Sequence, residues 1–204
     1  MNNYAYTLLG KAYINLTNKC GNACTFCVRN TGDGVKSTPL WLDSEPTDER
    51  AVLSAFDALD YKSGEVVFCG YGEPTENMAV LVPVARELKR RGYATRLNTN
   101  GLGNLVNGRN IAPELKDIDV VSVSLNNCTA EKYLAVTRSR FGLSAFDGVL
   151  DFANKCKQAG IDVIFTVVDV IGEKDIANCK KLCDNMGIPL RVRKYVADNY
   201  NGAE

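Results

Sequence analysis

Three cysteines, Cys20, Cys24 and Cys27, lie within eight residues, directly after an apolar run that predicts a β-strand over 12–17. Thiolates bind iron–sulfur clusters and zinc. A structural zinc site normally closes with a fourth cysteine or histidine, whereas the chain has no histidine and no second cysteine pair nearby. The spacing therefore predicts a metal centre with three protein ligands and an open position for chemistry. A redox loop or a zinc loop is the alternative.

A second group of candidate residues follows the next predicted strand, in the segment 69–75. Gly70 and Gly72 permit a positive φ and would let a ligand approach the backbone closely. Glu73, followed by Pro74, offers an acceptor that suits an ammonium group. A plain turn is the alternative for this segment.

Polar side chains also mark the ends of the third and fourth core strands, at Asn98, Asn100, Ser122 and Ser124. Alternate residues of a strand point to the same side, so we expect Ser122 and Ser124, with Asn126, to share one face. Buried polar groups need partners. These residues are therefore candidates for ligand contact, with ordinary strand-end hydrogen bonding as the alternative.

The elements that position these residues alternate between strands and helices. After a hairpin over 4–17 and a long loop over 28–46, the pattern predicts strands at 65–69, 94–98, 120–124, 162–168 and 190–195. Helices are predicted at 47–59 with Thr47 as N-cap, 78–91, 130–158 with an interruption at 138–144, and 174–186. Continuous apolar strands separated by helices indicate a parallel sheet. We therefore expect an α/β fold, a partial (βα)6 TIM-like barrel with its helices outside, whose ligands bind at the carboxyl ends of the strands.

Composition narrows the function further. The 204 residues predict one domain over 1–204, with a polar tail at about 198–204. Lysine plus arginine equals aspartate plus glutamate at 24 each, which gives no indication of nucleic acid or an anionic membrane as partner. Eight cysteines without a signal peptide or a membrane-length apolar run predict a reducing cytoplasm. The absence of histidine excludes Ser-His-Asp and Cys-His catalysis.

The C-x3-C-x2-C spacing, with Phe26 before the third cysteine, resembles the signature of the radical S-adenosylmethionine (SAM) enzymes. This resemblance implies that the three cysteines bind a [4Fe–4S] cluster whose fourth iron is chelated by SAM. The segment Gly70-Tyr-Gly-Glu-Pro74 resembles the Gly-Gly-Glu motif that holds the SAM amino group, although Tyr71 separates the two glycines. The resemblance also implies SAM carboxylate and ribose contacts at the strand-end residues Asn98, Asn100, Ser122 and Ser124, and an adenine wall at Ile171.

Five further segments, at 24–30, 67–75, 97–102, 108–115 and 168–173, make the chain most similar to the TatD family-associated radical SAM proteins. The expected function is reductive cleavage of SAM to a 5′-deoxyadenosyl radical that abstracts hydrogen from an unknown substrate. It requires a flavodoxin- or ferredoxin-like reductant, and a TatD-type hydrolase or another protein is a possible partner. The alternative is a non-catalytic iron–sulfur partner or redox regulator of such a hydrolase.

The remaining cysteines and two arginines carry separate expectations. Cys156, Cys179 and Cys183 fall on apolar helical rows and are expected in the core, whereas Cys69 and Cys128 are candidate hydrogen-atom or thiolate donors. Arg191 and Arg193 share a face of the last strand. If they point inward, an anionic substrate or the SAM carboxylate is the expected partner. The open barrel suggests a large substrate or a partner chain that completes the cavity.

Overall fold

The computed structural model describes residues 2–30, 32, 34–36 and 38–196. The strands in this part of the chain are β1 (Ala5–Leu8), β2 (Lys11–Ile14), β3 (Gly34–Val35), β4 (Thr38–Pro39), β5 (Glu65–Phe68), β6 (Ala94–Thr99), β7 (Val120–Ser124), β8 (Asp162–Val168) and β9 (Leu190–Arg193). Seven of them form one sheet in the order β1-β2-β5-β6-β7-β8-β9. Within this sheet only β1 is antiparallel to its neighbour, and the other six strands run parallel to one another.

The α-helices described are α1 (Glu49–Asp57), α2 (Met78–Arg90), α3 (Gly103–Asn107), α4 (Ala130–Thr137), α5 (Ser144–Gln158) and α6 (Glu173–Met186). They follow the parallel strands along the chain and pack on the sheet, α2 against β6, α5 against β7 and β8, and α6 against β9. This arrangement confirms the predicted α/β fold, a partial (βα)6 TIM-like barrel. No described helix combines the length and the apolar character needed to span a bilayer.

Each parallel strand separates an apolar face from a polar one. In β7, Val121 and Val123 are fully buried on the side that faces the helices, and Ser122 and Ser124 lie on the opposite side, which faces the barrel interior. The same alternation in β6 buries Leu97 in the core and directs its neighbours inward. The hydrophobic effect therefore holds the helices to the outside of the sheet and leaves the interior lined by groups that can bind polar ligands.

Several element boundaries differ from the predicted ones. The N-cap of α1 is Asp48 rather than Thr47, because the Asp48 carboxylate accepts hydrogen bonds from the amides of Arg50 (3.0 Å) and Ala51 (3.4 Å). The first core strand ends at Ile14 and the last at Arg193, each shorter than expected. Helix α3 and the β3–β4 hairpin were not predicted, since both are too short to show periodicity. The polar tail at about 198–204 lies outside the described residues.

Replacement of Asp48 by alanine is expected to lower the free energy of unfolding by about 1 kcal/mol, since two amides of the first turn of α1 lose their acceptor. Thr47→Ala is the matched control and should change stability little, because Thr47 is exposed and is not the observed cap. Urea denaturation followed by circular dichroism measures both. A larger loss for Thr47→Ala would contradict the assignment of the cap.

Candidate functional site

The start of the cysteine loop is held by residues of the long loop that follows it. The side chain of Asn18 donates to the carbonyl of Leu42 (2.8 Å) and accepts from its amide (3.0 Å). Glu45 accepts from the Thr17 hydroxyl (2.6 Å) and from the amide of Asn18 (3.0 Å). These four bonds fix the direction in which the chain leaves β2 toward the first cysteine.

The rest of the loop is bonded to the end of α4 and the segment after it. The last carbonyls of a helix have no intrahelical partner, and two of them accept amides of the cysteine loop. The three backbone bonds are Ala23 N to Thr137 O, Thr25 N to Val136 O and Arg140 N to Gly21 O, each 2.9 Å. The predicted interruption at 138–144 therefore has a structural role, since α4 ends at Arg138, in the left-handed conformation, beside this loop.

One cavity of about 190 Å³ brings the cysteine loop together with the carboxyl ends of the strands. The predicted residues of the cysteine loop and of the third and fourth strand ends that line it are Cys20, Cys24, Phe26, Cys27, Asn100, Ser124 and Asn126. The side chain of Asn100 also lies 3.7 Å from the sulfur of Cys20. The structure thus places seven of these sequence-predicted residues, from three separate stretches of the chain, around a single space.

Burial raises the pKa of the Cys20 and Cys24 thiols, and the neighbouring Cys27 and Cys20 contribute to raising that of Cys24 to about 12. The cause is that negative charge on the Cys20 or Cys24 sulfur is poorly solvated and is repelled by nearby groups, Glu73 at Cys20 and the neighbouring thiols at Cys24. As they stand, no three cysteine or carboxylate side chains of the described residues form a group that would hold a metal ion. The three cysteines thus line one cavity, and metal ligation by Cys20, Cys24 and Cys27 stays a prediction.

Glu73 is buried, with 3% of its surface exposed, and does not line this cavity. One carboxylate oxygen accepts from the Thr75 amide (3.1 Å) and hydroxyl (2.8 Å) and from the Thr99 hydroxyl (2.7 Å); the other accepts from the Asn100 amide (2.6 Å). Burial raises the pKa of Glu73, and these donors partly offset that shift. Glu73 therefore reaches the cavity through Asn100, and its contact with an ammonium group stays a prediction.

The two glycines of this segment lie against the chain that follows β2. Neither Gly70 nor Gly72 uses the positive φ that glycine permits, and close approach of a ligand to their backbone stays a prediction. A β-carbon at Gly70 would overlap the side chain of Asn15, and one at Gly72 would overlap the carbonyl of Thr17 and stand 2.8 Å from the oxygen of Lys19. The glycines are thus required by the close approach of the chain after β2. Pro74 is buried and begins the short 3-10 turn Pro74–Asn77.

Three other predicted residues do not line the cysteine cavity. Asn98 and Ser122, which are paired in register across β6 and β7, face a second cavity in the barrel interior. Two residues along a strand span about 6.6 Å, so each lies one layer deeper than Asn100 or Ser124. Ile171 packs partly buried against the hydrophobic core, and Val168 lines the cysteine cavity instead.

None of the other five cysteines is among the described residues that line the cysteine cavity. Cys156, Cys179 and Cys183 are almost completely buried in the core, as predicted. Cys69 and Cys128 are half-buried, and neither is among the described residues that line the cavity. The Cys128 thiol donates to the side chain of Asn127 at 3.4 Å. A role for Cys69 and Cys128 as hydrogen-atom or thiolate donors stays a prediction, since neither lines the cavity.

Several residues around the cavity were not predicted. Thr166 and Val168 line it from β8, and strand alternation from that strand would have indicated them. Asn22 also lines it, yet nothing in the sequence pattern marks this residue. Its side-chain amide nitrogen lies 3.4 Å from the Tyr133 hydroxyl, and its buried oxygen has no hydrogen-bond partner in the described structure. An unpaired buried acceptor at a cavity is costly, which suits a site that receives a donor from a ligand.

The sequence matches one protein-family model and several curated proteins. The family model described as "Radical SAM superfamily" matches residues 14–182. GTP 3′,8-cyclase of Corynebacterium glutamicum (strain R) is 27% identical over 186 residues, covering 87% of this chain and 47% of that protein. A putative glycyl-radical enzyme activating enzyme of Methanocaldococcus jannaschii is 26% identical over 140 residues, covering 65% of this chain and 57% of that protein. The chain spans about half the length of the curated relatives it matches.

Solved structures share the fold. Streptococcus suis SuiB bound to precursor peptide SuiA superposes with a TM-score of 0.64 at 16% identity, over 90% of this chain and 39% of that one. The protein anSMEcpe with bound AdoMet gives a TM-score of 0.60 at 17% identity, over 90% of this chain and 50% of that one. At these identities the likeness shows the fold alone.

Replacement of Gly72 by alanine is expected to lower the free energy of unfolding by about 1–3 kcal/mol, the range for overpacking a tightly packed region. The added β-carbon would meet rigid backbone at Thr17 and Lys19. Gly21→Ala is the control, because its β-carbon would meet mainly the flexible Arg140 side chain, at 3.2 Å. Urea denaturation compares the two. Equal stability of both variants would show that Gly72 is not required by packing.

Proposed function

Because the chain belongs to the radical SAM superfamily, we propose that it is an enzyme that binds a [4Fe–4S] cluster and SAM and cleaves SAM reductively. The observation that carries this proposal is the convergence of Cys20, Cys24 and Cys27 on one cavity at the carboxyl ends of parallel strands. In such an enzyme the three cysteines would hold the cluster, and the cluster would supply the one electron needed to cleave SAM to methionine and a 5′-deoxyadenosyl radical for hydrogen abstraction from substrate.

The donor set of the cavity fits the cluster. Cys20 and Cys24 have thiols whose pKa is raised by burial, so they would become thiolates only beside a strong positive charge. Iron provides such a charge, since a coordinating thiol is deprotonated by the metal. The three cysteines would therefore hold the cluster, and the loop that carries them is fixed at both ends by the backbone bonds to α4 and the side-chain bonds to Glu45 and Leu42.

The same cavity fits SAM, whose ammonium group is a donor and whose adenosine is partly apolar. The unpaired buried oxygen of Asn22 and the polar groups of Asn100 and Ser124 offer acceptors, and Phe26 offers apolar surface. The segment Gly70–Pro74 is proposed to bind the methionyl amino group, with Glu73 acting through the Asn100 backbone. Asn98, Ser122 and Ile171 contribute indirectly from the layers around the cavity.

The electron and the substrate come from outside the described chain. A cytoplasmic flavodoxin- or ferredoxin-like protein is the proposed reductant, because a [4Fe–4S] cluster exchanges single electrons. The relatives are named for different reactions, so their substrates are not carried over. A TatD-type hydrolase partner rests on sequence resemblance alone. No contact among the described residues favours a non-catalytic iron–sulfur role.

Anaerobic reconstitution with iron and sulfide, followed by reduction with SAM present, should yield 5′-deoxyadenosine from the unaltered protein. Cys24→Ala should lose both the cluster absorbance and the product, because two thiolates cannot replace three. Cys156→Ala is the matched control and should keep both, since Cys156 is a buried core residue of α5. A protein that takes up only zinc, or forms a cluster and binds no SAM, would overturn the proposal.

Glu73→Gln is expected to raise the Kd for SAM by about tenfold, the effect of one lost charge-assisted hydrogen bond. A glutamine would place an amide N–H against either the Asn100 amide or the threonine donors, which displaces the strand end that borders the cavity. Glu76→Gln, on the same 3-10 turn, is the control, because Glu76 makes no bond to Asn100. Equilibrium dialysis with reconstituted protein measures the Kd. An unchanged Kd in Glu73→Gln would remove this residue from the site.

A further inference from the structure

A second cavity, of about 220 Å³, lies inside the barrel toward the amino ends of the strands. We call it the interior cavity; its charged lining residues are Lys11, Glu65, Arg96, Arg191 and Arg193. Four cations therefore face one carboxylate. Crowding of like charges is unfavourable, and Arg191 and Arg193 are exposed to solvent, so the interior cavity presents an accessible surplus of positive charge that its own residues do not neutralise.

The carboxylate is already engaged by two of these cations. Glu65 accepts from Lys11 at 2.5 Å and from Arg96 at 2.8 and 2.7 Å. These bonds outweigh the opposing effect of burial, so the pKa of Glu65 is lowered. The other two cations, Arg191 and Arg193, have no hydrogen bond or ion pair from their side chains in the part of the chain that the structure describes. The surplus charge is thus located on these two guanidinium groups.

The position of these arginines follows from strand alternation in β9. Leu190 packs against the hydrophobic core on the helix side, so Arg191 and Arg193 point to the opposite side, the barrel interior. Their register partners on β8 are Thr166 and Val168, which line the cysteine cavity. Arg193 itself lines both cavities. A ligand held by the two arginines would therefore extend directly toward the three cysteines.

We propose that Arg191 and Arg193 bind an anionic group of the substrate, a carboxylate or a phosphate, and so orient the rest of that molecule into the cysteine cavity. This inference rests on the proposed function and adds the substrate class to it. Guanidinium groups recognise carboxylate and phosphate through paired N–H donors. Two of them on one face of one strand repel each other, and an anion between them removes that repulsion. Arg96, bonded to Glu65, completes the floor of the site.

The test is protection from phenylglyoxal, which modifies accessible arginines, read for each arginine by peptide mass spectrometry. The cluster-loaded full chain is treated with inorganic phosphate or succinate, with and without SAM, at an ionic strength matched with chloride. Phosphate or succinate should slow the modification of Arg191 and Arg193 and leave that of Arg138 unchanged. Arg138 is the matched control because it is exposed and lies outside both cavities. The more effective probe identifies phosphate or carboxylate as the bound group.

Replacement of one arginine tests whether the pair acts together. Arg191→Gln should raise the concentration of phosphate or succinate that half-protects Arg193 by about tenfold, because one of the two charged partners is lost. Arg138→Gln should leave that concentration unchanged. Equal protection of all three arginines, no protection, or protection of Arg191 and Arg193 by SAM alone would overturn the proposal. The protection experiment measures no turnover. A negative result in it therefore leaves the test of SAM cleavage unaffected, and a negative result for SAM cleavage leaves the protection experiment unaffected.

Discussion

The candidate site depends on one buried carboxylate. Glu73 joins the turn after β5 to the end of β6 through Thr99 and Asn100, and its amide donates to the carbonyl of Lys19 at 2.7 Å, one residue before the first cysteine. Three strand ends therefore meet at a single residue. Burial of a charged group is unfavourable unless its oxygens are bonded, and the four donors at Glu73 meet this condition. The geometry of the cavity wall is consequently determined by a polar contact surrounded by an apolar core.

Beyond Glu73, side chains alternate between the two faces of each parallel strand, and the two faces have different roles. Residues such as Val121 and Val123 bind the helices, and their neighbours on the same strands line the interior. The interior is divided in turn, since Asn100 and Ser124 border the cysteine cavity and Asn98 and Ser122 border the interior cavity one layer below. A single rule of side-chain direction thus places a cysteine-lined cavity above a cationic one, with Arg193 between them.

The sequence predicts the fold well, because β7 and β8 are apolar runs whose period and bounds the structure reproduces. It also predicts that the three cysteines, Phe26, Asn100 and Ser124 lie close together, because parallel strands have their carboxyl ends at the same edge of the sheet. It does not predict depth along a strand, which is why Asn98 and Ser122 fall in the lower layer. Nor does it predict contacts between distant backbone segments, since a bond such as Ala23 N to Thr137 O leaves no mark on side-chain type.

The cysteine loop is attached to α4 and to the segment after it through main-chain atoms at three points. Main-chain atoms are the same in every residue except proline, which lacks the amide hydrogen. The side chains of Ala23 and Thr25, which are exposed, are therefore open to drift while the loop keeps its shape. Homologous chains can diverge at these positions and still present three thiols to the same cavity, with proline as the excluded residue wherever an amide donates.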